Sequence, residues 1–375
     1  IETILSAAEL KAAGEVKKIL VTGCLSQRYR DEMRTELPEI DGMMGTADYG
    51  DIVSAVEQVM AGEDCTHFSD INGAVEELPR VLSTPTHFAY LRIAEGCSNS
   101  CAYCIIPYTR GPVRSAPLET ALEQAKQLAH QGYREIVVTG IEIASWGADL
   151  PGKPAVTELI EAVCTTVPAL RVRLGSLEPR IVTEDFCRRL SRLPNLCPQF
   201  HLSMQSGCDT VLQRMRRKYD TARYYESVCL LRTWFPGCAV TTDMIVAFPG
   251  ETEDEFARSL AFIRKCGFAE MHIFPYSRRP GTPADKMPGQ HGNAVKEARS
   301  RAAIAVAEEM SRAYREALVG SVQSVLFEDM EDGLLTGHAS NYVKVYVPGE
   351  GLHNQVRRVR ITGLYKDGLT GSLEP

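Results

Sequence analysis

The sequence predicts an α/β protein built on a parallel sheet curled into a partial (β/α)6 barrel, with a smaller α/β segment before it and a small OB-like β-barrel behind it. Three observations carry this. From residue 87 onward, apolar β runs alternate six times with helical segments, the pattern of parallel strands joined by crossover helices. After one long helix the pattern changes to short β runs separated by glycine turns. At 375 residues, the chain is also too long for one ordinary core.

Taken in order, "IETILSAAELKAAG" reads as a helix and "KKILVTG" (17–23) as a strand. "QRYRDEMRTEL" is helical, "DGMMGT" is a short strand, and "DYGDIVSAVEQVMAG" is a second helix. This looks like the last part of a small α/β domain, residues 1–75. Because Ile1 begins inside a helix, the natural protein is expected to start further upstream. Residues 62–85 have weak periodicity and read as an irregular connection. The main domain, 83–316, offers strands at 88–96, 134–140, 171–176, 198–204, 239–248 and 270–277. Helices are expected at 117–131, 154–166, 183–192, 208–217, 221–234 and 252–266. A helix at 293–318 leads to a barrel over 317–375, made of "SVQSVLFE", "LLTGHAS", "YVKVYVPG", "NQVRRVRITGLYK" and "GLTGSLE".

Composition narrows the function classes. Hydrophobic residues make up 44% and charged residues 24%, as in a folded soluble protein. No run approaches the ~18 apolar residues of a membrane span, and no signal peptide opens the chain. A cytoplasmic protein without a membrane partner is expected. The net charge of −7 means that any nucleic-acid contact must rest on local basic clusters. Of the twelve cysteines, Cys164, Cys187, Cys197, Cys229, Cys238 and Cys266 sit in apolar segments and read as packed thiols in a reducing compartment.

"EGCSNSCAYC" (95–104) is different: Cys97, Cys101 and Cys104 fall within eight positions, directly after the first strand of the main domain. In such folds, chemistry sits at the C-terminal ends of strands. A disulfide reading leaves an odd cysteine, and structural zinc lacks a fourth ligand at its usual spacing. Three thiolates suit a cubane iron–sulfur cluster that keeps one iron open for a non-protein ligand. Tyr103, just before the third cysteine, strengthens that reading.

CxxxCxxC with an aromatic just before the last cysteine, after the first strand of a partial barrel, resembles the radical S-adenosylmethionine superfamily. The resemblance implies a [4Fe–4S] cluster held by Cys97, Cys101 and Cys104. Its open iron would chelate S-adenosylmethionine, which a low-potential electron donor cleaves to a 5′-deoxyadenosyl radical. "CSNSCAYCIIPYTRGPVRS", "VTGIEIASWG", "HLSMQSGCDTVLQRMRRKY", "MIVAFPGETEDEF" and "HIFPYSRRPGTPA" are similar to the methylthiotransferase branch. Within it, "GPVRS" and "RMRRKY" look most like the tRNA threonylcarbamoyladenosine methylthiotransferases, and "TGHASNYVKV" looks like a TRAM domain, an RNA-contacting module.

The resemblance therefore implies a tRNA substrate, methylthiolated at carbon 2 of the modified adenosine beside the anticodon, and a sulfur donor. Methylthiolation of a ribosomal protein aspartate is the nearest alternative, and a non-catalytic RNA-binding metal protein is a more distant one. Cys24 in "VTGCLSQR" matches the third ligand of the branch's second cubane cluster; one thiolate cannot hold a cubane, so that cluster is expected to be absent or labile in this chain. Cys65 is not promoted to a ligand.

Cosubstrate contacts are expected from Tyr103, from Thr139 and Gly140 ending the second strand, from Ser176 and Glu178 after the third, and from Gln205 after the fourth. Phe248 in "FPGET" and Phe274 complete the set, and Tyr276 is a further candidate. Gly140 lets backbone approach the methionine amino group. Asp243, inside an apolar strand, needs a partner if buried, and a structural ion pair is as good a reading as catalysis. For RNA, the basic clusters include Arg216 and Arg217, and Arg358 and Arg360, the latter two projecting on one side of a β run. Asn341, Tyr342 and Tyr346 add hydrogen-bonding and stacking surfaces. Residues 317–375 carry seven acids against five bases, so the small barrel is no strong electrostatic trap.

Overall fold

The computed structural model describes residues 1–73, 82 and 85–374. It divides into two compact units, Ile1–Val81 with Glu95–Asn99 and Ile105–Arg114, and Leu82–Ala94 with Ser100–Cys104 and Ser115–Pro375.

In the first unit the elements run α1 (Glu2–Ala12), β1 (Leu20–Thr22), α2 (Cys24–Glu36), β2 (Gly42–Met44), α3 (Ile52–Ala61), β3 (Cys65–His67) and, after the return of the chain, α4 (Ile106–Arg110). The three strands form a parallel sheet in the order β1-β2-β3. Met44, Ala55, Val59 and Cys65 make its core, with Leu20 packed against them. Gly42 is required there, because a Cβ would meet Val59 at 2.5 Å. The expected irregular connection at 62–85 is corrected in part: Cys65 opens β3 and is fully buried. Three residues are too few for an alternating pattern to show in sequence. Positions 74–81, 83 and 84 of that connection lie outside the described residues.

In the second unit β4 (Phe88–Glu95) and β5 (Arg114–Ser115) precede α5 (Leu118–His130), β6 (Glu135–Gly140), α6 (Val156–Thr166), β7 (Arg171–Leu174) and α7 (Glu184–Leu190). Then follow β8 (Gln199–His201), α8 (Asp209–Arg214), α9 (Thr221–Trp234), β9 (Ala239–Val246), α10 (Glu253–Cys266), β10 (Glu270–Pro275) and α11 (Asn293–Ala317). One sheet has the order β5-β4-β6-β7 and the next β10-β9-β8. The parallel bridges Val172↔Leu196 and Leu177↔Leu202 link them, so β4, β6, β7, β8, β9 and β10 follow one another around an open barrel. The helices start where the sequence provides caps. Thr183 caps α7, Asp220 caps α9, and Thr252 with Glu255 forms a capping box on α10.

Side chains alternate across these strands. On β9, Val240, Thr242, Met244 and Val246 are buried, and Tyr224 of α9 donates to Thr242 Oγ1 at 3.2 Å. The even positions therefore face the helices, and Thr241, Asp243 and Ile245 face the concave side.

Helix α11 leads into the closed barrel of β11 (Val322–Glu331), β12 (Leu334–Ala339), β13 (Lys344–Val347), β14 (Val356–Tyr365) and β15 (Gly368–Leu373), in the order β11-β12-β13-β15-β14. Val325, Phe327, Leu335, Val345, Val347, Val359, Ile361 and Leu369 fill it. It is tied to the open barrel by Arg171, whose guanidinium donates to His338 O at 3.0 Å and Ala339 O at 2.9 Å, and by Arg173, which lies 3.6 Å from the Tyr342 ring centre. Among the described residues, no helix is long and apolar enough to cross a membrane.

Candidate active site

β4 runs into the segment that carries the three cysteines. Gly96 takes φ +70°, and a Cβ there would sit 1.9 Å from Pro112 O, so only glycine fits the turn. In the first unit Cys97 is buried; its N–H donates to Gly111 O at 3.0 Å and its Sγ accepts the Asn99 N–H at 3.4 Å. In the second unit, Cys101 and Cys104 are half-buried and share a turn in which the Cys104 N–H donates to Cys101 O at 3.1 Å. Ala102 anchors that turn: its N–H reaches Met215 O at 2.9 Å, and its carbonyl accepts the Ala284 N–H at 2.8 Å.

Arg217 Nη1 donates to Cys101 Sγ at 3.0 Å, while Nε donates to the Tyr219 hydroxyl at 3.0 Å. Burial opposes the Arg217 charge, but Tyr219, Tyr103 and Cys101 outweigh it and raise the pKa above its usual value. A permanent cation therefore faces one cysteine sulfur. In the first unit, Cys24 at the start of α2 accepts from Arg110 Nε at 3.0 Å, and Arg110 reaches Glu95 at 3.3 Å.

The other cysteines differ in kind. Burial pushes the thiols of Cys164, Cys187 and Cys266 up to about 12 and that of Cys238 to about 11, which makes them inert core thiols, as expected. Cys197 is buried too, its pKa raised. Cys229 corrects the expectation of packing, since it is exposed on α9.

The expected cosubstrate residues separate into groups. Tyr103 is half-buried with its ring edge-on to Phe248 at 6.4 Å, and burial raises its phenol well above the usual range. Phe248 is fully buried, packed on Tyr276 at 5.3 Å, and lies behind Tyr103. Phe274 is 52% exposed on β10. Thr139 and Gly140 end β6 half-buried; a Cβ on Gly140 would stand 3.0 Å from Ala94 O, so close strand approach already requires the glycine.

Ser176 is exposed after β7, and Glu178 is buried, its carboxylate accepting from Arg180 Nε at 2.8 Å. Gln205 stands at φ +67°, donating its N–H to Asp243 O and accepting from Ile245 N, each at 2.9 Å.

The residues expected to contact RNA lie in different surroundings. Arg217 holds Cys101 and Tyr219 instead of facing solvent. Asn341 is buried and donates to the Tyr314 hydroxyl at 3.1 Å, Tyr346 is fully buried, and Tyr342 stacks on His338 at 4.5 Å beneath Arg173. The "GHASNY" loop of the small barrel thus meets the open barrel. Arg216 is exposed, as are Arg358 and Arg360 around the buried Val359, though Arg360 is paired with Glu374 at 2.7 Å.

Sequence reasoning missed Glu142, two residues beyond Gly140. It accepts from the Ser145 hydroxyl, its Oε1 is buried without a hydrogen-bond partner, and burial raises its pKa. The signal was its place directly after a strand end. His201 and His272 were missed as partners of Asp243 because they lie on separate strands.

Comparison with known proteins agrees with this arrangement. The family model of the Radical SAM superfamily matches residues 91–263. The ribosomal protein uS12 methylthiotransferase RimO of Clostridioides difficile (strain 630) is 36% identical over 339 residues, which are 90% of this chain and 76% of that protein. The protein of the same name from Geobacter sulfurreducens is 35% identical over 384 residues, 100% of this chain and 86% of its own. That from Lachnoclostridium phytofermentans is 32% identical, covering 100% and 87%. These names do not support the tRNA branch that "GPVRS" and "RMRRKY" suggested. Among solved structures, the radical S-adenosylmethionine methyltransferase TsrM from Kitasatospora setae, with tryptophan and a SAM analog bound, matches 88% of this chain and 64% of its own with a TM-score of 0.57. At 12% identity it shows the fold alone.

Superfamily membership implies a [4Fe–4S] cluster, S-adenosylmethionine and an electron donor. In sequence, Cys97, Cys101 and Cys104 supply the three thiolates that such a cluster takes. No disulfide forms among the twelve cysteines, and the sulfurs of Cys97 and Cys101 each receive an N–H. With relatives at this identity over nearly its full length, the chain belongs to the radical S-adenosylmethionine methylthiotransferase family.

Proposed function

We propose that this enzyme methylthiolates an aspartate of ribosomal protein uS12. The observation that carries the proposal is the agreement of relatives 32–36% identical over 90–100% of this chain, each named a uS12 methylthiotransferase. The basic residues read as an RNA face also lend it support, because Arg217 and Arg360 are already engaged within the protein.

In this reading Cys97, Cys101 and Cys104 hold the cluster. When bound, it supplies the low-potential electron that cleaves S-adenosylmethionine to a radical able to attack an unactivated carbon–hydrogen bond. The chain's own residues prepare for that. Arg217 and the Asn99 N–H steady two of the sulfurs. Tyr103, backed by Phe248 and Tyr276, walls the Cys101–Cys104 turn against water. Thr139, Gly140, Ser176, Glu178 and Gln205 offer polar and backbone groups after successive strands for the cosubstrate. Cys24, held by Arg110, would give one thiolate to a second cluster, whose chemistry would be to carry sulfur; one thiolate alone does not hold it.

The test is incubation of the reconstituted enzyme, S-adenosylmethionine and reductant with purified uS12 and, separately, with tRNA carrying threonylcarbamoyladenosine. Mass spectrometry should find a methylthio group replacing hydrogen on the uS12 aspartate. A methylthio mark on tRNA alone would overturn the proposal.

A further inference from the structure

We propose that His201, Asp243 and His272 form a binding site for a divalent transition-metal ion on the concave face of the open barrel. The inference concerns the second unit alone and stands independently of the methylthiotransferase reading. Three neighbouring parallel strands each contribute one ligand. His201 ends β8, Asp243 lies mid-way along β9, and its register partner His272 lies on β10. Because Thr242 faces helix α9, Asp243 and the two imidazoles beside it stand on the opposite, concave face.

His201 Nε2 is 3.1 Å from Asp243 Oδ2, and His272 Nδ1 is 3.2 Å from Asp243 Oδ1. One donor atom from each of the three residues lies within 4.8 Å of the others. An ion with bonds of about 2.0–2.2 Å sets neighbouring ligand atoms roughly 3 Å apart, which the two imidazole–carboxylate spacings already meet through different Asp243 oxygens, so an ion between them requires the three residues to draw in from their 4.8 Å limit. Two imidazole nitrogens and one carboxylate oxygen suit zinc, iron(II) or cobalt(II), whereas magnesium and calcium seek oxygen alone. Three protein ligands leave coordination positions open, and His272, about half exposed, borders the accessible side. Water or an anionic oxygen of a substrate is the class of ligand those positions would take.

The surroundings are those of an oriented ligand set. His201 Nδ1 is 3.0 Å from Thr241 Oγ1, which also accepts from Gln199 Nε2 at 3.2 Å, so a second layer fixes the ring. Burial opposes the Asp243 charge, but His201 and His272 outweigh it and hold the carboxyl below its usual range.

Cobalt(II) alone is the probe. The full chain with Cys97→Ser, Cys101→Ser and Cys104→Ser removes the competing cluster thiolates, and circular dichroism checks that it folds. About one equivalent should bind, with visible ligand-field bands free of thiolate charge transfer, and Asp243→Asn or His272→Ala on that background should weaken it at least about tenfold. No binding, or binding unchanged in both variants, overturns the site. Should the triple variant not fold, X-ray absorption of cobalt bound to the native chain decides instead. Nitrogen–oxygen ligation lost with Asp243→Asn supports the site, and sulfur-only ligation overturns it.

Discussion

Arg217 divides its guanidinium between the Cys101 sulfur and the Tyr219 hydroxyl, and this contact turns an apparent surface charge into part of the cluster segment. A hydrogen bond to a charged partner contributes roughly 1.5–3 kcal/mol, and hydrogen bonds to the sulfurs tune a cluster's potential. Arg217→Met should therefore retain less iron after desalting and shift the cluster potential negative, with Arg217→Lys intermediate. Equal iron content and potential in all three proteins would show the contact to be idle. Glu255 allows a second test away from the cysteines. Arg214 grips both its oxygens at 2.9 and 2.6 Å, and with Thr210 and the Thr252 N–H it outweighs burial and lowers the pKa from 4.5 to about 2. A depressed folded pKa stabilises the fold above pH 4.5, and that contribution fades as pH falls towards 2. Glu255→Gln should cost up to ~3 kcal/mol in urea unfolding at neutral pH, and the gap from the native chain should close below pH 4. The three-cysteine spacing was plain in the sequence, but the role of Arg217 was not. A basic run looks the same whether a residue of it turns outward or folds back onto a thiol.

Strands and helices were the most legible level. The periodicities of 2 and 3.6 located the six strands of the open barrel and their helices, because each long element must bury one face. β3 escaped for want of length, and the His201–Asp243–His272 cluster escaped because strand neighbours in space are tens of residues apart in sequence. The turn from β4 into the cysteine segment also depends on something the sequence shows only as a letter. Gly96 has a left-handed φ and no room for a Cβ. Gly96→Ala is expected to displace the Cys97 end of the segment and abolish iron loading while far-ultraviolet circular dichroism stays near native. Normal iron content in that variant would show that the turn tolerates a side chain.

At the scale of the whole second unit, the small barrel is bound to the open barrel through the loop between β12 and β13. Sequence likeness marked that loop for RNA because its residues are polar and aromatic. Those same types serve equally to bury Asn341 and to stack Tyr342 under Arg173, and only the fold chooses. With Tyr342 40% exposed, the cation–π contact contributes about 0.5–1 kcal/mol, so Tyr342→Ala should lower the Tm by roughly 1–4 °C and expose the β12–β13 loop to protease. An unchanged Tm with unchanged proteolysis would mean that the loop carries no docking energy. Arg358, exposed on β14, is the better residue for testing a nucleic-acid contact.

All of this converges on whether the three thiolates assemble a reducible cluster that breaks a sulfonium bond. The direct measurement is the yield of 5′-deoxyadenosine from S-adenosylmethionine under anaerobic reduction, compared between the reconstituted native chain and its Cys101→Ala variant. Sustained formation by the first and none by the second is the expected result. A fully loaded native protein that leaves the cosubstrate intact, or a variant that cleaves it equally well, would contradict the account.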